Sequence, residues 1–333
     1  MRNKMNTLAI KTYPPFSLKF SKAYILTMRP YLMFVSGITG VLGMSFAGEI
    51  SLLKALFIFK VTFLSYGFGQ ALTDCFQIDT DSISSPYRPL TQGIVKKNHF
   101  LIISIIGLFY CISVLAFYNP INLALGILAG FGLATYTTFK RKWWAGPFYN
   151  AWIVVVLFLM AYLAGLGKIY FDFSNLIFIA AVLTVFFGYA NFVITGYFKD
   201  IEADTATAYN TLPVKFGRKL SSIASDVFGI AASVSVFATI FVLAFNSFPH
   251  QIILKALVFA YAGIAATIFT QLNLHSVNTD SEAHRAIVPC VHSYILMLSS
   301  FAVLNKPDWF IPLILFYLLY FVVIKTRPAK EQI

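Results

Sequence analysis

Two short acidic stretches hold most of the reactive chemistry in this chain. Asp74, Asp79 and Asp81 lie together in "DCFQIDTDSISSPYRPLTQG", and Asp200, Glu202 and Asp204 lie together in "KDIEADTATAYNTLPVKFG". These six make up almost half of the 13 acids in 333 residues. Carboxylates this close repel one another unless they share a cation. Hard oxygen donors beside Lys and Arg suit Mg²⁺ bound jointly to a phosphorylated substrate. The basic partners are at hand: Arg88 follows the first stretch, Lys199 abuts the second, and "FKRKWW" supplies Lys140, Arg141 and Lys142. Guanidinium and ammonium groups bind phosphate oxygens through charge-assisted hydrogen bonds. The expected chemistry is a diphosphate held by two acidic motifs through metal ions.

The elements that position these motifs are apolar. Of the residues 59% are hydrophobic and 11% charged, which excludes a soluble globular protein. A bilayer crossing needs about 20 apolar residues, and such runs occur near 23–47, 52–74, 99–118, 121–139, 148–166, 174–197, 222–245, 251–272, 287–303 and 309–325. In lipid the backbone must satisfy its own hydrogen bonds, so these runs are helices. The net charge of +12 is not a nucleic-acid signature here. With the N-terminus inside, only Lys54, Lys60, Lys168, Lys255 and Lys306 among the 25 Lys and Arg fall outside the tails, the alternate loops and their borders. That asymmetry follows the positive-inside rule and puts both tails and both acidic motifs on the cytoplasmic face. The basic start, "MRNKMNTLAIKTYPPFSLKFSK", lacks the apolar core and cleavage site of a signal peptide. Cys75, Cys111 and Cys290 follow no metal-ligand spacing.

The motifs follow the second and sixth spans and resemble copies of one another. Pro89 and Gly93 follow Asp81 much as Pro213 and Gly217 follow Asp204. Helices continuing through the motifs would place Asp74 and Asp81 on one face, and Asp200 and Asp204 on another. This pattern predicts two related four-helix halves around a central cavity, a common arrangement for a functional centre within a membrane.

These residues resemble the UbiA superfamily of intramembrane prenyltransferases. That family's first motif commonly reads N-D-x-x-D-x-x-x-D, then R-P and Gly. The chain keeps Asp74, Asp81, Arg88, Pro89 and Gly93, with a further acid at Asp79, but carries Thr73 and Gln77 where Asn and Asp are usual. The second motif commonly reads D-x-x-D-x-x-x-D, then T-L-P-V and Gly. Here Asp200, Asp204, Thr211 to Val214 and Gly217 match, while Tyr197 replaces the first acid. "MRP" at Met28 to Pro30 and "YTTFKRK" are similar too.

The resemblance implies an all-α, polytopic fold of nine or so spans around a cavity, where the charges favour ten; a re-entrant or surface segment near 287–325 would reconcile the two counts. It also implies an isoprenyl diphosphate bound with Mg²⁺ at the cytoplasmic mouth. The expected metal ligands are Asp74, Asp79, Asp81, Asp200 and Asp204. Arg88, Lys140, Arg141 and Lys199 are expected on the diphosphate; Arg88 and Lys199 join Asp74, Asp81, Asp200 and Asp204 as catalytic residues. Gln70 and Asn191, polar residues inside apolar runs, are expected to face the cavity and join the diphosphate-binding set, although helix–helix hydrogen bonding explains them equally well.

The implied activity is transfer of a prenyl group to an aromatic or other lipophilic acceptor. An acceptor-free terpene cyclase uses the same ionisation, and an ion transporter is the non-enzymatic alternative. A transport pathway would place its acids near mid-bilayer rather than at one face. The polar loop Asn273 to Ile287, with His275, Asp280, Glu282, His284 and Arg285, reads as a solvated loop or lid. The expected organisation is a basic tail (1–22), a single transmembrane domain (23–325) and a C-terminal tail (326–333), in the inner (plasma) membrane with membrane lipid around it.

Overall fold

The computed structural model describes residues 12–246 and 248–327, and the apolar runs form helices as the hydrogen-bond demands of a bilayer require. In chain order these are α1 (Leu18–Met28), α2 (Met33–Ser45), α3 (Leu52–Asp74), α4 (Ile78–Ser84), α5 (Lys97–Tyr118) and α6 (Ile121–Lys142). They are followed by α7 (Gly146–Leu166), α8 (Leu176–Tyr197), α9 (Ile201–Ala206), α10 (Leu212–Phe245), α11 (His250–Ser276), α12 (His284–Asn305) and α13 (Phe310–Val323). Among the described residues nine helices are long and apolar enough to cross a membrane, and α1 with α2 forms a further bent pair. The chain is therefore a multi-pass, all-helical membrane protein. The expected N-terminal tail over 1–11, and the expected C-terminal tail over 328–333, lie outside the described residues.

Three expectations need correction. The run 23–47 is not one straight helix, because α1 and α2 meet at a 62° bend. Proline lacks an N–H and disfavours helical geometry in the residue before it; Pro30 accordingly follows Arg29, whose φ is 52°. The irregular span thus lies at this end of the chain, whereas residues near 287–325 form the two helices α12 and α13. The helices also do not continue through the acidic motifs. Helix α3 stops at Asp74 and α8 at Tyr197, and each is followed by a short helix, α4 or α9.

The repeat expected from the motifs has a structural counterpart. Long helix, acidic break, short helix and two long helices succeed one another in α3–α6 and again in α8–α11. Helices α4 and α9 pack together, with the Thr80 and Thr207 hydroxyls 2.9 Å apart. The glycine closing each motif adopts positive φ, 67° at Gly93 and 78° at Gly217. A Cβ at either would meet no atom within 4 Å, so the left-handed backbone, not crowding, explains glycine there.

Helix α2 packs on α3 and α7, α7 on α8, α8 on α10, and α11 on α12, while α12 returns to α8 and α2. Helix α12 is mostly buried, whereas little more than a quarter of the residues of α5 and α6 are. Small residues bring the helices together, as is usual in bilayers. At Gly43 of α2 a Cβ would stand 2.5 Å from the Phe158 carbonyl oxygen of α7.

Candidate active site

A cavity of about 240 Å³ lies between α2, α3, α5, α6, α7 and α8. It sits off-centre toward the first half, because α10 to α13 contribute none of its lining among the described residues. Its deep walls are apolar, with Leu115 on α5, the small residues Gly126, Ala129 and Gly130 on α6, and Met160 on α7. On α6 the lining positions 126, 129, 130, 133, 136 and 140 follow helical spacing, so one face runs from the apolar depth to Lys140 at the charged mouth.

The first motif forms one side of the mouth. Asp74 ends α3, where the helix dipole opposes a negative charge. It is neutralised by Arg29, whose Nη2 donates to Oδ1 at 3.0 Å and Oδ2 at 3.1 Å. The Gln70 amide donates to Asp74 Oδ1 at 2.7 Å. Arg88 binds Asp81 Oδ2 at 2.5 Å and approaches Asp74 Oδ1 at 3.7 Å. The bend in the first span thus places Arg29 over Asp74, and Arg88 links two acids that no longer share a helix.

Lys199 and Asp200 line the opposite side, where both retain accessible surface. Burial pushes the Lys199 ammonium down to about 8, although the Asp200 carboxylate opposes that shift. Burial would raise Asp200, but Lys199, Lys140 and Arg88 together hold it below the usual carboxylate range. Asp200 Oδ1 is buried and has no hydrogen-bond partner, and Arg88 Nε is likewise unpartnered. For Asp81 burial wins over the nearby Arg88 charge, and its carboxyl is raised.

Asp204 turns away from the cavity. It is fully buried, accepts from Lys140 Nζ at 3.1 Å and from Thr211 Oγ1 at 3.2 Å, and is pushed up to about 6 chiefly by burial. Lys140 lines the cavity with its ammonium 5.0 Å from the Tyr197 ring centre and 4.9 Å from that of Tyr209. Asp79 is paired with Arg141 on the exposed side, and Arg141 lies 4.3 Å from the Tyr209 ring centre.

Of the residues expected at the site, the fold therefore gathers Gln70, Asp74, Asp81, Arg88, Lys140, Lys199 and Asp200 in the lining wall of one cavity. Asp79, Arg141 and Asp204 stand outside that wall. So does Asn191, which accepts from Ser225 Oγ at 2.5 Å and is approached by Gln271 Nε2 at 3.4 Å, tying α8 to α10 and α11. The loop between α11 and α12 is held to the second motif by Asp280, which accepts from Arg218 at 2.6 Å and from the Glu202 backbone N–H at 2.8 Å.

The sequence carries Arg29 within the family-like "MRP" and among the inside charges without giving it a site role; its place before Pro30, at a forced break in an apolar run, is the signal for one. Nor does the sequence single out Tyr66, Asn150, Tyr189, Phe192 or Tyr197 as cavity-lining residues. Aromatic residues are too numerous in this chain for composition to separate them.

Among the described residues no three His, Cys, Asp or Glu side chains are grouped to hold a metal by themselves. Magnesium ordinarily takes one or two carboxylates and completes its shell with water and phosphate. The unpartnered Asp200 oxygen, with Asp74 and Asp81 across the mouth, fits that donor set.

Comparison with known proteins agrees with this architecture. The sequence profile of the UbiA prenyltransferase family matches residues 33–288. Digeranylgeranylglyceryl phosphate synthase of Thermococcus kodakarensis is 33% identical over 222 residues, covering 66% of this chain and 78% of that one. The apo structure of a UbiA homologue from Aeropyrum pernix superposes with a TM-score of 0.66 at 16% identity, over 82% of this chain and 97% of that chain. A UbiA homologue from Archaeoglobus fulgidus bound to GPP and Mg²⁺ superposes with a TM-score of 0.62 at 18% identity, over 91% of this chain and all of that chain. A profile match over most of the chain, with both acidic motifs lining or adjoining one cavity, identifies this protein as a member of the UbiA prenyltransferase family.

Proposed function

We propose that this protein is a Mg²⁺-dependent intramembrane prenyltransferase, and that it ionises an isoprenyl diphosphate and transfers the prenyl group to a lipophilic acceptor. The observation that carries this reading is a single cavity with an apolar depth and a mouth bearing Asp74, Asp81, Asp200, Arg88, Lys140 and Lys199. The isoprenyl tail enters the depth between α5, α6 and α7. The diphosphate meets Arg88, Lys140 and Lys199, and Arg29 keeps Asp74 and its neighbours in position.

The allylic carbon–oxygen bond breaks, its electron pair leaves with the diphosphate oxygen, and the acceptor's nucleophilic atom closes on the carbon and gives up its proton to the departing diphosphate or to water. Fixed cations aimed at the departing oxygen stabilise the charge that grows there without reorganising at the moment of reaction. Tyr66, Tyr136, Tyr189 and Tyr197 surround the same space, and their π faces suit a short-lived allylic cation. Bound Mg²⁺, which Asp200 would hold together with the diphosphate, would supply Lewis-acid neutralisation of the leaving group. The relative bound to GPP and Mg²⁺ supports the diphosphate and the metal.

The name of the Thermococcus relative favours a lipid acceptor over an aromatic one. The charge asymmetry of the loops favours a mouth facing the cytoplasm of an inner (plasma) membrane, with residues 23–325 as one catalytic domain. The deep cavity wall is apolar, which argues against an ion pathway.

The test is product formation in membranes supplied with Mg²⁺ and isoprenyl diphosphates of several lengths, with lipid, aromatic or no acceptor, read by mass spectrometry. A conjugate that requires acceptor, and that is lost in Asp74→Ala and Asp200→Ala, is expected. A hydrocarbon or terpene alcohol made equally well without acceptor would make the protein a cyclase instead.

A further inference from the structure

Alignment of the two motifs by their spacing pairs Asp74, Gln77 and Asp81 of the first with Tyr197, Asp200 and Asp204 of the second. Each copy therefore carries two acids and one neutral residue, the neutral one at different places. Five of the six positions line the cavity, and Asp204 is the exception. The two neutral positions are engaged within the protein. Gln77 Nε2 donates to Thr137 Oγ1 at 3.2 Å, and the Tyr197 and Tyr136 hydroxyls are 2.7 Å apart.

Three of the four remaining carboxylates already have fixed counter-ions: Asp74 has Arg29, Asp81 has Arg88, and Asp204 has Lys140. Asp200 alone keeps a buried oxygen with no partner. At the corner beside Tyr197, where a second-motif acid would receive an ion, the buried Lys140 ammonium stands between two tyrosine rings. A divalent cation there would face a like charge in a poorly hydrated site.

We propose that this chain binds one divalent cation per active site rather than one per motif. That ion sits between Asp200 and the substrate diphosphate, while Lys140 and Arg88 act as permanent cations in place of a second. The proposal rests on the assignment of the cavity as an isoprenyl diphosphate site. It makes Tyr197 and Gln77 the residues that set the metal count.

The experiment is a Mn²⁺ titration of the purified full chain in detergent, with a non-ionisable thio analogue of an isoprenyl diphosphate present. Free Mn²⁺ is read by electron paramagnetic resonance. One bound Mn²⁺ per chain is expected, with no spectral sign of a coupled pair, and two per chain would overturn the proposal whatever the variants do. Asp200→Asn should weaken Mn²⁺ binding by about tenfold or more; unchanged affinity would overturn the seat at Asp200.

Tyr197→Asp and Gln77→Asp should each raise the count toward two, with a broadened, coupled spectrum. If both fold, as judged by thermal unfolding, and still bind one ion, the assigned determinants are wrong. If both fail to fold, the wild-type count decides. Product formation by the same preparation keeps the two readings apart. Turnover with two bound ions rejects only the metal count, whereas one bound ion with no prenyl product under any acceptor rejects the assigned reaction.

Discussion

Arg29 Nη2 reaches both carboxylate oxygens of Asp74, at 3.0 and 3.1 Å, across the bend that separates α1 from α2. Both side chains are almost completely buried. A buried ion pair contributes little against an apolar replacement of both partners, but removal of one partner leaves an uncompensated charge. Arg29→Met is therefore expected to lower stability by about 3–5 kcal/mol and product formation by about 100-fold or more. Arg29→Lys, which keeps the charge but loses the planar fork, should fall between the two. Thermal unfolding in detergent and initial rates measured side by side check both effects; an Arg29→Met protein with unchanged rate would remove Arg29 from the site.

Asn191 provides the contrasting case. Its carboxamide oxygen serves Ser225 and Gln271 at a helix junction outside the cavity wall. Replacement by Ala should cost about 0.6–2 kcal/mol of stability, the range for interhelical hydrogen bonds in membranes. KM for the isoprenyl diphosphate should not change. A raised KM with unchanged unfolding temperature would return Asn191 to the substrate site.

Gly43 tests the close approach of α2 and α7. A Cβ there would lie 2.5 Å from the Phe158 carbonyl oxygen and 2.9 Å from the Ala161 Cβ, and a helix backbone cannot yield as a flexible side chain can. Gly43→Ala should cost about 1–3 kcal/mol through overpacking, seen as a lower midpoint of thermal unfolding. An unchanged midpoint would mean that the two helices separate freely.

Gly130 lines the cavity, and a Cβ placed on it meets no atom within 4 Å. It lies ten residues from Lys140 along α6, a depth of about 15 Å at the rise of an α-helix. Gly130→Leu should therefore shift preference toward shorter isoprenyl diphosphates while leaving turnover of the shortest substrates within about threefold, since one added side chain in an apolar pocket changes binding by about 1–3 kcal/mol. Competition between substrates of different length, with products separated by mass, measures the shift. An unaltered product distribution would put the tail elsewhere.

The membrane class, the helical content and the two acidic motifs were legible in the linear chain. Long apolar runs have no other way to satisfy their backbone in lipid, and Asp, Arg and Pro at repeated spacings persist whatever the packing around them. Gly93 and Gly217 could be matched by spacing alone, and the structure adds the reason in their positive φ values. Tertiary structure decided which of the motif residues share a surface. Asp204 is four residues from Asp200, yet the break before α9 turns it onto Lys140 and Thr211 while Asp200 faces the cavity. Arg29 is 45 residues from Asp74, and only the bend at Pro30 and the packing of α1 on α3 bring the two together. Periodicity describes neighbours along one helix. It is silent about where a helix stops and about which distant cation neutralises a buried acid, because those are settled by the fold's need to pair every charge it removes from water.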